Sequence, residues 1–222
     1  MRGGWRALWL TLGLGAVGLT APLVGQPGRS ADRYDDHFRK YSKRFFGPAF
    51  DWRWFKAQGL TESGLDSSAR SRVGAEGVMQ LMPTTRREIA SKNPDMKPVN
   101  DAEWNVAAGI AYDRSLWRLW AQDSVDRYLS EFMFASYNAG RRTILTAQRT
   151  AQDSQLDIRA WPSIESIAPQ VTRWRYRETV DYVKRIDANL KRLDSRGRLR
   201  ARLPGRRRRP DSGRCIRDRG RS

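Results

Sequence analysis

Between residues 34 and 193 the chain is cut into short lengths by residues that start or stop helices, and most of those lengths carry apolar residues three and four apart. After Gly47-Pro48 the spacing predicts a helix from about Asp51 to Ser63, stopped by Gly64. Thr85-Arg86-Arg87-Glu88 reads as a capping box for a short helix ending before Pro94. Asn100-Asp101-Ala102-Glu103 reads as a second box, opening a helix that buries Trp104, Ala107, Ala108 and Ala111. A fourth helix is expected near Val125 to Tyr137, closing at Asn138-Ala139-Gly140. A last one, about Arg177 to Leu193, places Val180, Val183, Ile186, Leu190 and Leu193 on one face. Residues 70–82 break the helical period with Gly74, Gly77 and a short apolar run, which suits a small hairpin or extended loop. The expected fold is mainly α, a helical globule with one small non-helical insert.

The two ends differ from this middle. Met1 to Arg6 is basic, and Ala7 to Val24 carries no charge, the pattern of a secretory signal; eighteen uncharged residues also reach the lower limit for an uncleaved membrane anchor. Residues 1–25 are therefore expected to export the domain to the periplasm or cell envelope, 26–195 to form the folded domain, and 196–222 to be a disordered Arg-rich tail. Charge supports that division. Of the net +18, residues 191–222 supply 14 basic and 3 acidic side chains, and Arg2 and Arg6 add two positive charges, which leaves +5 for residues 26–190. A domain so mildly basic is not expected to bind nucleic acid specifically. One Cys and one His exclude an internal disulfide and leave no basis for a zinc site. Neither metal nor cofactor is expected, so any chemistry must rest on carboxylates, hydroxyls and amides.

Glu62 is the strongest catalytic candidate. Trp54, Gln58 and Glu62, four residues apart, share one stripe of the predicted helix, with Phe55 and Gly59 beside it. That stripe starts apolar, so Glu62 is directed inward or into an aromatic-lined cleft. It also lies in the last helical turn, near the negative end of the macrodipole. Both effects disfavour the anion and raise the pKa, and a carboxylic acid still protonated near neutral pH can donate to a leaving oxygen.

Around it, Glu62-Ser63-Gly64, Ser71-Arg72-Val73-Gly74-Ala75, Gly77-Val78-Met79-Gln80-Leu81-Met82-Pro83, Ala135-Ser136-Tyr137-Asn138-Ala139-Gly140 and Glu178-Thr179-Val180-Asp181-Tyr182-Val183 follow in order. This series resembles the catalytic domain of the soluble lytic transglycosylases, a family with a goose-type-lysozyme-like α+β fold. The stretch from Asp51 to Trp120 is most similar to the membrane-bound lytic transglycosylase F type. The resemblance implies that the loop insert shapes a substrate groove, with peptidoglycan glycan strands as substrate. It implies cleavage, without water, of the β-1,4 bond between N-acetylmuramic acid and N-acetylglucosamine, leaving 1,6-anhydromuramic acid ends. It also implies that Glu62 is the sole catalytic carboxylate. Ser71 and Gln80 are implied to hydrogen-bond sugar, Met79 and Met82 to form an apolar groove wall, and Tyr137 and Asn138 to line the cleft. Tyr182 would bring a phenol to the N-acetyl group or to Glu62, and Glu178 would be a groove-side acceptor. A monomer, associated with the membrane through its N-terminus if the leader is retained, is expected. The alternatives are a hydrolase on the same fold and a non-catalytic wall-binding module. Arg72 replaces a common Pro, and Leu65-Asp66-Ser67 replaces the usual aromatic-Asn-Pro; these departures bear on substrate preference rather than chemistry.

Overall fold

The computed structural model describes residues 32–93 and 101–199. The leader over residues 1–25, Pro94, Asn100 and the tail from residue 200 onward lie outside the described residues. The helices are α1 (Asp35–Phe46), α2 (Arg53–Glu62), α3 (Pro83–Lys92), α4 (Ala102–Gln122), α5 (Leu129–Ala139), α6 (Arg141–Asp153), α7 (Trp161–Ile167) and α8 (Tyr176–Arg192), with a 3₁₀ turn at Ala168–Gln170. Their apolar faces meet in one core that includes Phe38, Phe55, Ile110, Trp120, Phe132, Ile144, Ile164 and Ile186. The mainly helical expectation holds.

Three helices lie where none was expected, and each carries a signal. Helix α1 has Asp35 and Asp36 in its first turn and Lys43 and Arg44 in its last, a charge order that complements the macrodipole, and it buries Phe38, Tyr41 and Ser42. Helix α6 buries Ile144, Ala147, Gln148 and Ala151 at helical spacing. Helix α7 is short and opens on Trp161-Pro162, with Pro in the first turn where its missing N–H costs nothing.

Neither capping box forms as read. Helix α3 starts two residues earlier, at Pro83 after extended Met82, again because Pro is tolerated in the first turn. In α4 the cap is Asp101, whose carboxylate accepts from the Glu103 N–H. The Glu103 side chain instead accepts from Lys40 Nζ (2.7 Å) and Tyr41 Oη (2.9 Å), joining α4 to α1.

The most extensive helix pair is α2 with α8, and it fixes the site. Helix α2 ends at Ser63, and Gly64 and Leu65 both take left-handed φ (66° and 68°), turning the chain back so that Leu65 packs under Gly59. Residues 70–82 form no continuous ladder. They are two stacked turns held by the isolated bridges Arg70–Glu76 and Glu76–Leu81. Asn105 of α4 anchors them: its Oδ1 accepts from Met79 N (2.7 Å) and its Nδ2 donates to the Glu76 carbonyl (3.0 Å). Gly77 must be glycine there, because φ is +81° and an added Cβ would stand 2.4 Å from Asn105 Nδ2.

The folded part also runs past the expected boundary at residue 195. Leu193 bridges Leu199, and Gly197 sits against Trp52 so closely that a Cβ would meet its ring at 2.1 Å. Arg39 donates to the Arg196 carbonyl at 2.9 Å while its guanidinium covers Trp52. Arg196 to Leu199 therefore belong to the domain rather than to a disordered tail.

Candidate active site

Helix α2 delivers Glu62 at its C-terminal end, where α8 crosses it. Glu62 is half-buried there. Tyr182 of α8, 2% exposed, donates its hydroxyl to Glu62 Oε1 at 2.5 Å. Burial raises the Glu62 pKa from 4.5 to about 7, with the Tyr182 hydrogen bond and the Arg185 charge pulling the other way. The direction expected from sequence is correct, and burial is its main cause. Glu62 has no salt-bridge partner among the described residues. Tyr182→Phe removes the donor that favours the anion, so the Glu62 pKa is expected to climb further, by roughly one to two units. A carbon-detected carboxyl titration measures this directly, and an unchanged midpoint would contradict the assigned contact.

The other expected site residues divide. Tyr182 lies at Glu62 as expected. Tyr137 is also close: the charge of Glu62, after burial, helps push its phenol pKa up. Its hydroxyl donates to the Met79 carbonyl at 2.8 Å, and its ring stacks obliquely on Tyr112 at 5.4 Å. Tyr137 thus braces the loop within the field of Glu62. Met82 is 37% exposed and suits a groove wall. Met79 does not: its side chain is 0% exposed and packs on Gly109, so it belongs to the core.

Gln80 and Ser71 have local duties. Gln80 has φ +44°, and its Nε2 donates to the carbonyls of Gly77 (2.9 Å) and Ala69 (3.1 Å). Both amide hydrogens are spent holding the loop. Ser71 Oγ accepts from Ala75 N at 2.9 Å, closing its own turn. Asn138 is exposed and accepts from Thr179 Oγ1 (2.9 Å), which in turn accepts from Trp174 Nε1, tying the end of α5 to the start of α8. Glu178 is exposed in the first turn of α8 and pairs with Arg175 at 3.2 Å. It stands one turn from Tyr182, without a bond to Glu62.

A hollow of about 180 Å³ lies beside the loop, lined in part by Ser67, Arg70, Glu76 and Asn105. Its carboxylate, Glu76, is ion-paired to Arg86 and Arg70. Glu62, by contrast, has no such ion pair among the described residues. No group of His, Cys, Asp or Glu side chains that could hold a metal occurs among the described residues.

Two residues at Glu62 were given no role in the sequence reading, which named Gln58 only as part of its stripe. Asp113 of α4 is 0% exposed, and burial, followed in smaller part by the Glu62 charge, pushes its pKa well up. Gln58 of α2 is also 0% exposed, and its Nε2 lies 3.4 Å from Asp113 Oδ1 and 3.3 Å from Tyr182 Oη. The signal was available: Val106, Ile110, Asp113, Leu116 and Trp120 form one buried stripe, with an acid where an apolar residue is usual.

Helices packed around one core with a short loop insert beside the end of α2 make a lysozyme-like fold. A sequence profile described as the Transglycosylase SLT domain matches residues 47–159, and the chain belongs to that family. Membrane-bound lytic murein transglycosylase F of Shewanella oneidensis is 28% identical over 150 residues, covering 68% of this chain and 29% of that protein. The protein of the same name from Desulfosudis oleivorans is 30% identical over 148 residues, covering 62% and 32%. The chain thus spans about a third or less of these relatives. The 70 kDa soluble lytic transglycosylase of Escherichia coli superposes with a TM-score of 0.56 at 21% identity, over 71% of this chain and 24% of that one, and shows the same fold.

Proposed function

We propose that the protein is a peptidoglycan lytic transglycosylase and that Glu62 is its acid and base. The observation that carries this reading is a single carboxyl whose pKa lies at about 7, held by one phenol donor. Near neutrality such a group is populated in both protonation states, as a two-way proton carrier requires. In the first step neutral Glu62 gives its proton to the glycosidic oxygen as the bond to the muramoyl anomeric carbon breaks. In the second, the Glu62 anion takes the proton of the muramoyl C6 hydroxyl as that oxygen bonds to the anomeric carbon. The 1,6-anhydro ring closes and Glu62 is reprotonated, with no water consumed. Tyr182 steadies the intervening anion by the hydrogen bond it already makes.

A two-carboxylate hydrolase would need a second acid, as nucleophile or as the base on a water. Asp113 is the nearest spare acid identified, and with no accessible surface it can serve as neither. Wall glycan is the substrate, Ser71, Met82, Tyr137, Asn138 and Glu178 supply its contacts, and the cell envelope is the site of action, in keeping with relatives named membrane-bound. Among the described residues no helix is long and apolar enough to cross a membrane, so anchoring would fall to residues outside them.

Digestion of purified sacculi, followed by mass spectrometry of the released muropeptides, tests the reading. Anhydromuramic ends that appear with the wild type and vanish with Glu62→Gln are expected. Reducing ends alone would replace lyase by hydrolase.

A further inference from the structure

The unused buried groups lie directly behind the proposed catalytic pair, and their hydrogen bonds do not close as an ionised acid would need. Asp113 Oδ2 and Gln58 Oε1 are both buried acceptors without a partner, while the other atoms of the same two groups, Oδ1 and Nε2, approach at 3.4 Å. A hydrogen on Asp113 Oδ2 directed at Gln58 Oε1 would satisfy both orphan acceptors at once. With the observed contact it would make an acid–amide pair with two parallel hydrogen bonds.

We propose that Asp113 is a positioning residue that stays a neutral acid and fixes the direction of the hydrogen-bond chain leading to Glu62. This inference rests on the reading of Glu62 as the catalytic group. With Gln58 Oε1 occupied by the Asp113 hydroxyl, its amide orientation is set. One Nε2 hydrogen goes to Asp113 Oδ1 and the other to Tyr182 Oη at 3.3 Å. Tyr182 must then accept from Gln58, and its single hydrogen is left for Glu62 Oε1, where the contact is 2.5 Å. If Gln58 were turned over, Tyr182 would face an acceptor and could donate to it instead, leaving the Glu62 anion without its donor. An ionised Asp113 would besides set a second negative charge behind a site that must itself become anionic.

The charged and titratable groups around this chain are few. Tyr182 and Arg185 of α8, Tyr137 of α5 and Asp113 of α4 act on Glu62 or share its field. Asp113 is flanked by Glu62, Tyr137, Tyr182 and, on its own helix, Tyr112. None is a cation in contact with Asp113; the Gln58 amide favours its anion, and burial outweighs that hydrogen bond. Its burial-raised pKa agrees with a neutral acid.

The test uses the carboxyl ¹³C signals of the full chain, without substrate, beside the pH profile of sacculus turnover. In the wild type, Asp113 is expected to keep a neutral-acid shift at pH 7 while Glu62 titrates near neutrality. Asp113→Leu frees Gln58 to turn over and is expected to move the Glu62 midpoint, and the alkaline limb of the profile, about one pH unit higher, whereas Gln58→Leu leaves Tyr182 no rival acceptor and is expected to keep the midpoint near its wild-type position. Asp113→Asn, whose amide reproduces both hydrogen bonds of the neutral acid, is expected to rescue the midpoint and limb that Asp113→Leu shifts. Titration of Asp113 as an ordinary carboxylate would overturn the proposal. So would a shift with Asp113→Asn as large as with Asp113→Leu. The carboxyl titrations need no turnover, so a missing anhydro product would count against the proposed function and leave this result standing.

Discussion

Glu62→Gln is expected to lower turnover of wall glycan by roughly 10²–10⁴-fold while making the domain more stable at neutral pH. The first half follows from removing the group that moves the proton. The second follows from linkage. In the unfolded chain Glu62 titrates at its ordinary 4.5, and in the fold at about 7. Between those values the folded state binds the extra proton, so stability is full below 4.5 and is lost as pH rises toward 7, by roughly 3 kcal/mol in all. Gln has no proton to lose, and its stability should not fall across that window on this account. Urea unfolding of both proteins at about pH 5 and about pH 7.5 reads the difference. Parallel pH dependence in the two would mean that the Glu62 carboxyl is not held as an acid by its burial. Loss of activity with gain of stability is the usual mark of a group kept in an unfavourable place for function.

The second large effect lies far from the sugar. Lys56, 0% exposed in the middle of α2, has its ammonium 2.6 Å from Asp35 Oδ1 and 3.2 Å from Asp32 Oδ1, both at the start of α1. Burial raises the Asp35 pKa, and Lys56 opposes that rise. Lys56→Ala leaves a buried carboxyl without its cation and a hole in α2, and is expected to cost about 3–5 kcal/mol. Lys56→Met combined with Asp35→Asn removes both charges and keeps the volume, and should recover most of the loss. Denaturant midpoints of the single and double variants check this. A double variant as unstable as Lys56→Ala would show that the lost ion pair itself, not the uncompensated charge or the hole, sets the cost.

The spacing of Gly, Pro and apolar residues made most of the helices legible, because a helix end is a local event decided by a few neighbouring side chains. The same logic misjudged starts where two local solutions competed, as at Thr85, where Pro83 opened the helix first. It missed α1 despite Asp35-Asp36 and Lys43-Arg44 at opposite ends, since weight was given to Gly47-Pro48 as a beginning rather than to Gly47 as an end. Glu62 was readable because its stripe with Trp54 and Gln58 is set within one helix. Met79 was misplaced for the complementary reason: nothing local says which side of a loop faces Gly109 of another helix.

What the sequence by itself determined is therefore the helical alphabet of the domain, its family motifs and the identity of the acid at the end of α2. Only the tertiary structure decided which groups surround that acid. Gln58 and Tyr182 are 124 residues apart, and Gln58 and Asp113 are 55 apart, yet they meet behind Glu62 because α2 packs on α8 with α4 alongside. A carboxyl pKa is shifted by the water it loses and by the dipoles that replace that water. Both are fixed by elements distant in the chain, so a buried acid such as Asp113 becomes visible only once those elements are packed.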